Sequence, residues 1–185
     1  MFPILENIEE MVSPLDFEKR SKLEKAHLLV SQRQFEQAAR IFADLSEEME
    51  IACHYQHAAI FHTQVAYAFA DSQFEEAALS HARTALHLFL QCHLDKRSKA
   101  FYTNVIQVLA NRNMKVAMNA LQTEFEVKLG LKSLDSSEYL LIQHGPLPTV
   151  CPKCGAPISA SDLHWVDETT AECNYCGTSI RSDNP

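Results

Sequence analysis

The sequence predicts a mainly α-helical body of repeated helical hairpins, followed by a small β module at the C-terminus. Three observations predict it. The 115 residues from Leu15 to Leu129 contain neither Gly nor Pro, where average usage would supply roughly 14 of them. Sheets joined by tight turns need that punctuation. The hexapeptide Gln34–Ala39 returns as Gln73–Ala78 with five of six residues identical. Beyond Gly130 the glycines and prolines come back, together with two Cys-x-x-Cys pairs.

Taken in chain order, Ile4, Leu5, Ile8, Met11 and Val12 share one helical face, and Pro14 stops that short helix. Leu23, Ala26, His27 and Val30 follow with helical spacing up to a polar break at Ser31-Gln32-Arg33. The first hexapeptide copy then opens a second helix. The same order recurs with Ile60, Phe61, Val65 and Ala68, a break at Asp71-Ser72, and the second copy. It recurs more faintly with Phe101, Val105, Val108 and Leu109, a break at Asn111-Arg112, and Asn113–Met118. The reading is three antiparallel helix pairs with a period of 39–40 residues. In each, small alanines let the paired helices approach closely.

An aromatic and an acid followed by alanines at the start of the second helix resembles tetratricopeptide-type repeats, over residues 20–129. The period is longer than theirs and no Pro closes a pair, so the hairpins also look like the extended arrays of vesicle-fusion attachment proteins. The resemblance implies a tetratricopeptide-like solenoid, with a compact bundle as the alternative. It implies a concave face that grips a protein partner, and no catalytic residues.

Several function classes drop out. A Rossmann or P-loop phosphate site needs glycines that the body lacks. No apolar run approaches the roughly 20 residues of a membrane span, and the acidic N-terminus has no basic signal region. Cys53, His54, His57 and His62 cluster in one expected helix, and Cys53 with His57 has the spacing of two ligands on one helix face. Their neighbours Ala58, Ala59, Ile60 and Phe61 are ordinary packing residues, and Cys92-His93 reads as packing too. The Lys19–Lys22 and Lys96–Lys99 clusters read as solvated helix starts. With 16 Lys+Arg against 24 Asp+Glu, the net charge is -8, which disfavours nucleic acid as a partner.

The tail carries the strongest motif. Cys151-Pro152-Lys153-Cys154-Gly155 and Cys173-Asn174-Tyr175-Cys176-Gly177 form C-x2-C-x18-C-x2-C, a spacing that wraps four thiolates around one tetrahedral zinc ion. A left-handed turn at each Gly would aim backbone N–H groups at sulfur. Between the pairs, Leu163–Val166, a turn at Asp167–Thr169 and Thr170–Glu172 fit a β-hairpin. These residues resemble the zinc-ribbon family. The resemblance implies a closed, structural Zn²⁺ site, one per chain, with Cys151, Cys154, Cys173 and Cys176 as the metal ligands. Lys153 and Arg181 against Asp162, Asp167, Glu168, Glu172 and Asp183 make this segment acidic.

The expected organisation is therefore a helical domain over 1–130, a linker over 131–150 containing an apolar Tyr139–Ile142 segment, and a zinc ribbon over 151–185, each with its own stabilising core. The expected function is a non-enzymatic protein–protein interaction adaptor in a reducing cytoplasm. Two alternatives stand beside it. One is a reduced RING-type ligase component that recruits a conjugating enzyme in a prokaryotic ubiquitin-like system. The other is a nucleic-acid-associated zinc-ribbon regulator.

Overall fold

The computed structural model describes residues 16–131, 146–167 and 169–182. The short helix expected at Ile4–Val12 and the Tyr139–Ile142 segment of the linker lie outside the described residues. Among the described residues there are six α-helices: α1 (Phe17–Ser31), α2 (Phe35–Ile51), α3 (Tyr55–Asp71), α4 (Glu75–Gln91), α5 (Asp95–Asn111) and α6 (Lys115–Phe125). After them come a short 3-10 turn (Ala160–Asp162) and three short strands, β1 (His164–Trp165), β2 (Thr170–Glu172) and β3 (Ser179–Arg181).

The six helices cover the stretches where the sequence predicts helices. Consecutive helices pack on one another, and α3 also touches α5 while α4 touches α6. Their amphipathic faces explain the stacking. In α2, Ala38, Ala39, Phe42, Leu45 and Met49 are buried, while Glu36, Arg40 and Asp44 face outward. Helix α3 differs, for it carries no Asp, Glu, Lys or Arg before Asp71 and is buried on most of its circumference. That is the composition of a helix covered on all sides.

The turns answer the glycine shortage. Each of the five helix junctions is three residues long, and each middle residue has a left-handed backbone: Arg33, Cys53, Gln73, His93 and Asn113, with φ between 56° and 65°. They recur every 20 residues. Each junction closes with the same pair of hydrogen bonds, as in Gln34 N–H to Leu29 O at 2.8 Å and Arg33 N–H to Val30 O at 2.9 Å. This is the Schellman arrangement, usually built on Gly. The residue that accepts the bond spanning five positions is apolar at every junction, namely Leu29, Met49, Phe69, Phe89 and Leu109. Phe69 meets the Phe74 ring edge-on at 6.0 Å across one of them.

This geometry corrects the register of the hexapeptide. Phe35 is the first residue of α2, whereas Phe74 precedes α4. The sequence match of 39 is thus one residue out of step with the 40-residue spacing of the paired turns. The positions that do coincide at 20-residue intervals include Ala38, Ala58, Ala78 and Ser98, all at most 1% exposed. A small side chain there admits the neighbouring helix at the first four junctions; at the fifth the position is Met118.

The three strands form an antiparallel sheet in the order β1-β2-β3. His164 pairs with Glu172 and Trp165 with Ala171, so β1 and β2 are the expected hairpin. Strand β3 was not anticipated; Ala171 pairs with Ile180 across it, and both side chains are buried. The Trp165 indole donates to Ala160 O at 3.1 Å, tying the hairpin to the 3-10 turn.

A left-handed conformation costs a non-Gly residue about 1 kcal/mol or slightly more, and less for Asn. Gln73→Gly should therefore raise stability by up to about 1 kcal/mol, read as a higher urea midpoint at unchanged slope. Asn113→Gly should gain less than Gln73→Gly, and Gln73→Val should lower the midpoint.

Candidate metal centre

The two knuckles have the same backbone. Gly155 N–H donates to Cys151 O, and Gly177 N–H to Cys173 O, both at 2.9 Å. Cys151 N–H reaches Ala156 O at 2.8 Å, and Cys173 N–H reaches Thr178 O at 3.0 Å. Gly155 (φ +70°) and Gly177 (φ +66°) take the left-handed conformation expected of them. The hairpin turns the chain so that the two knuckles face each other.

The result is a compact sulfur cluster. The Sγ atoms of Cys151, Cys154, Cys173 and Cys176 all lie within 4.8 Å of one another. Cys151 to Cys176 is 3.6 Å and Cys154 to Cys173 is 3.7 Å. A tetrahedron with metal–sulfur bonds of about 2.3 Å has edges of about 3.8 Å, so the donors present fit a four-coordinate metal ion. Three cysteines are buried and Cys154 is half-buried. Without a cation, hydrogen bonds from the other three thiols pull Cys151 well below the usual thiol range. Donating to Cys151 pushes Cys154 and Cys173 upward. A bound cation would favour the thiolate at all four together.

Tyr175, between Cys173 and Cys176, fastens this module to the helices. Its ring packs 6.5 Å from those of Phe35, Phe42 and Tyr67, and it is 4% exposed. Its hydroxyl donates to Asp71 Oδ2 at 2.5 Å, and its carbonyl accepts from the Gln64 amide. Burial, then the Asp71 charge, push the phenol well above its usual range, so it remains a donor. Asp71 also accepts from Arg112. Arg112 extends to Asp162 Oδ2 at 2.9 Å, and Asn111 Nδ2 donates to Asp162 Oδ1 at 2.7 Å. Asn104 Nδ2 donates to the Tyr67 hydroxyl at 2.9 Å and to Asn174 Oδ1 at 2.6 Å.

This contact revises the expectation of separate cores. Buried residues of the cysteine module, including Ala156, Leu163, Ala171 and Ile180, form one apolar cluster with those of the helices. The anchors come from α3 and α5, with Phe35 and Phe42 from α2. Helix α1 approaches too: a Cβ added to Gly155 would sit 2.8 Å from Ser31 Cβ. Sequence reasoning named Asn174 and Tyr175 only as spacers within the knuckle. The charge-free run of α3 ending at Asp71 was the signal that this helix is covered.

The four cysteines are the only group of three or more Cys, His, Asp or Glu that could hold one metal ion among the described residues. Cys53 and His54 are not in one helix with His57 and His62 as expected: they sit in the turn before α3, where Cys53 has a left-handed backbone, and Cys53 is exposed. His62 instead bridges two partners: Nε2 lies 2.7 Å from Glu50 Oε1, and Nδ1 lies 2.8 Å from His81 Nδ1. Both imidazole nitrogens of His62 are thus engaged with separate groups. His164 is a hairpin residue in β1, 3.9 Å from Glu172.

Two outcomes follow from this geometry. Gly155→Ala and Gly177→Ala both place a Cβ at positive φ, which costs about 1–2 kcal/mol. Only Gly155→Ala also meets α1, so its loss of stability by urea denaturation should exceed that of Gly177→Ala by about 1 kcal/mol or more. Burial and the neighbouring His62 pull His81 down to about 4, against about 6.5 in the unfolded chain. The unfolded state therefore binds the extra proton between these values, and stability falls as the pH drops through that window. The melting temperature should decline from pH 7.5 to pH 5, and His81→Gln should make that decline shallower.

No protein-family model, no curated protein and no solved structure matches the chain.

Proposed function

We propose that the protein is a non-enzymatic interaction adaptor, a tetratricopeptide-like helical array closed by a zinc ribbon with a structural Zn²⁺ ion. The observation that carries this reading is the completeness of the sulfur cluster. Four cysteines at tetrahedral spacing satisfy the ion's coordination sphere and leave no open position for a substrate or an activated water. Zinc suits this donor set, since four soft thiolates without a carboxylate or carbonyl are its usual structural cage. When bound, the ion would supply the cross-link that a segment of this size needs to keep a fold.

The 20-residue turn spacing and the contacts between α3 and α5 and between α4 and α6 support an array of stacked hairpins. No described helix is long and apolar enough to cross a membrane. A reducing compartment fits four unpaired thiols. Acidity of the cysteine module argues for a protein partner over a nucleic acid.

A RING-type ligase component would hold two zinc ions with eight ligands. Purified protein should contain about one zinc per chain by elemental mass spectrometry, and Cys154→Ser or Cys173→Ser should abolish it. Two zinc ions per chain would overturn the ribbon reading. Because the helices and the module share a core, chelation should lower the melting temperature of the helical circular dichroism signal at 222 nm. Unfolding of the tail with no change in that temperature would contradict the shared core.

A further inference from the structure

A pair of nitrogen donors stands apart from the cysteines, where α2, α3 and α4 meet. His62 of α3 is 7% exposed and engages both ring nitrogens. Nε2 is 2.7 Å from Glu50 Oε1, near the end of α2, and Nδ1 is 2.8 Å from Nδ1 of His81 on α4. An ionised carboxylate only accepts, so Glu50 fixes a proton on His62 Nε2 and leaves Nδ1 to face His81. The His81 ring stacks on Phe69 at 5.8 Å and 29°, which holds its plane. A histidine that gives one nitrogen to a carboxylate and presents the other is the usual arrangement of a metal-ligating imidazole.

The spacing of the two Nδ1 atoms suits one class of ion. Metal–nitrogen bonds of about 2.05 Å separate neighbouring ligands by about 2.9 Å at a right angle and by about 3.3 Å at the tetrahedral angle. The observed 2.8 Å matches the right angle, which belongs to tetragonal nitrogen and oxygen sites rather than to a tetrahedral zinc cage. The torsion that turns an imidazole is soft, so a small turn of each ring aims both lone pairs at one point. The proton shared between the rings then moves to His81 Nε2, while Glu50 keeps the proton on His62 Nε2. The Glu50 side chain is 41% exposed and His81 is half-buried, so ions and water reach the pair from that side.

We propose that His62 Nδ1 and His81 Nδ1 form a second, exchangeable metal site for a divalent ion of the Ni²⁺ and Cu²⁺ class, with Glu50 as the carboxylate that orients His62. Imidazole suits these ions, and no thiolate takes part. Water fills the remaining coordination positions. Two protein ligands hold such an ion reversibly, so dialysed protein loses it while the four cysteines retain theirs. When occupied, the site clamps α3 to α4 and favours the folded state, since the unfolded chain does not hold the two rings together. The inference stands apart from the adaptor reading and does not depend on it.

The test uses the dialysed, zinc-loaded full chain with Ni²⁺ as the probe. Saturating nickel should raise the melting temperature by about 5 °C or more, and titration calorimetry should count one nickel per chain while the zinc content stays constant. His81→Gln should abolish the rise. Glu50→Gln should keep the site but weaken nickel binding about tenfold or more, an effect that a carboxylate serving only the fold would not produce. Each variant is compared with itself, with and without nickel, so a lower basal stability does not obscure the result. In the unsubstituted chain, paramagnetic broadening by nickel should be strongest at the ring protons of His62 and His81, which decides the matter even if a variant does not fold. The His54 and His57 rings, 6.0 Å apart at the start of α3, are the competing pair. Broadening centred on them, a rise that survives His81→Gln but is lost in His57→Gln, displacement of zinc by nickel, or no rise at all would overturn the proposal.

Discussion

Tyr175 is the side chain through which two dissimilar parts of this chain become one folded unit. Its ring enters a space bounded by Phe35, Phe42 and Tyr67, and its hydroxyl ends on Asp71 at the end of α3. Burying a tyrosine is favourable only when the hydroxyl is satisfied, and Asp71 serves that need. Asp71 in turn would be an expensive buried carboxylate without Arg112. Arg112 then reaches Asp162 in the cysteine module. Each group is tolerable because of the next, so the network stands or falls together.

The charge pattern of that network has a direction. Two carboxylates, Asp71 and Asp162, flank one guanidinium, and all three side chains are less than a fifth exposed. Desolvation opposes the Arg112 charge, but the hydrogen bonds and charges of Asp162 and Asp71 outweigh it and raise its pKa. Part of the module's acidity is therefore already engaged with the helices rather than presented to solvent. Asp162 contributes to holding the module in place; Asp167 and Arg181 remain at its outer edge.

The helices were legible in the sequence because their signals are local. Apolar spacing and polar breaks located all six, and the knuckle cysteines announced their own geometry through a fixed spacing. The turns were less legible. A lack of glycine signalled helices correctly, but it concealed five left-handed residues, which the sequence marks only by an apolar position four residues upstream. The hexapeptide match suggested one register and the backbone follows another, because Phe35 and Phe74 resemble each other in type and not in place. Contacts across long separations were the least legible. Gln64 meets Tyr175 across 111 positions, and neither residue stands out from its neighbours in composition.

That separation sets an order of events during synthesis. Helices with local contacts form quickly, whereas the knuckle can dock only once Tyr175, 50 residues after the end of α6, has left the ribosome. At ordinary elongation rates the interval between completing α6 and releasing Tyr175 is about 3–10 seconds. Over that time the rings of Phe42 and Tyr67 lack their cover. A nascent chain in this condition shows its surroundings an apolar surface that the finished protein hides, and chaperone capture or premature self-association would be decided within that interval.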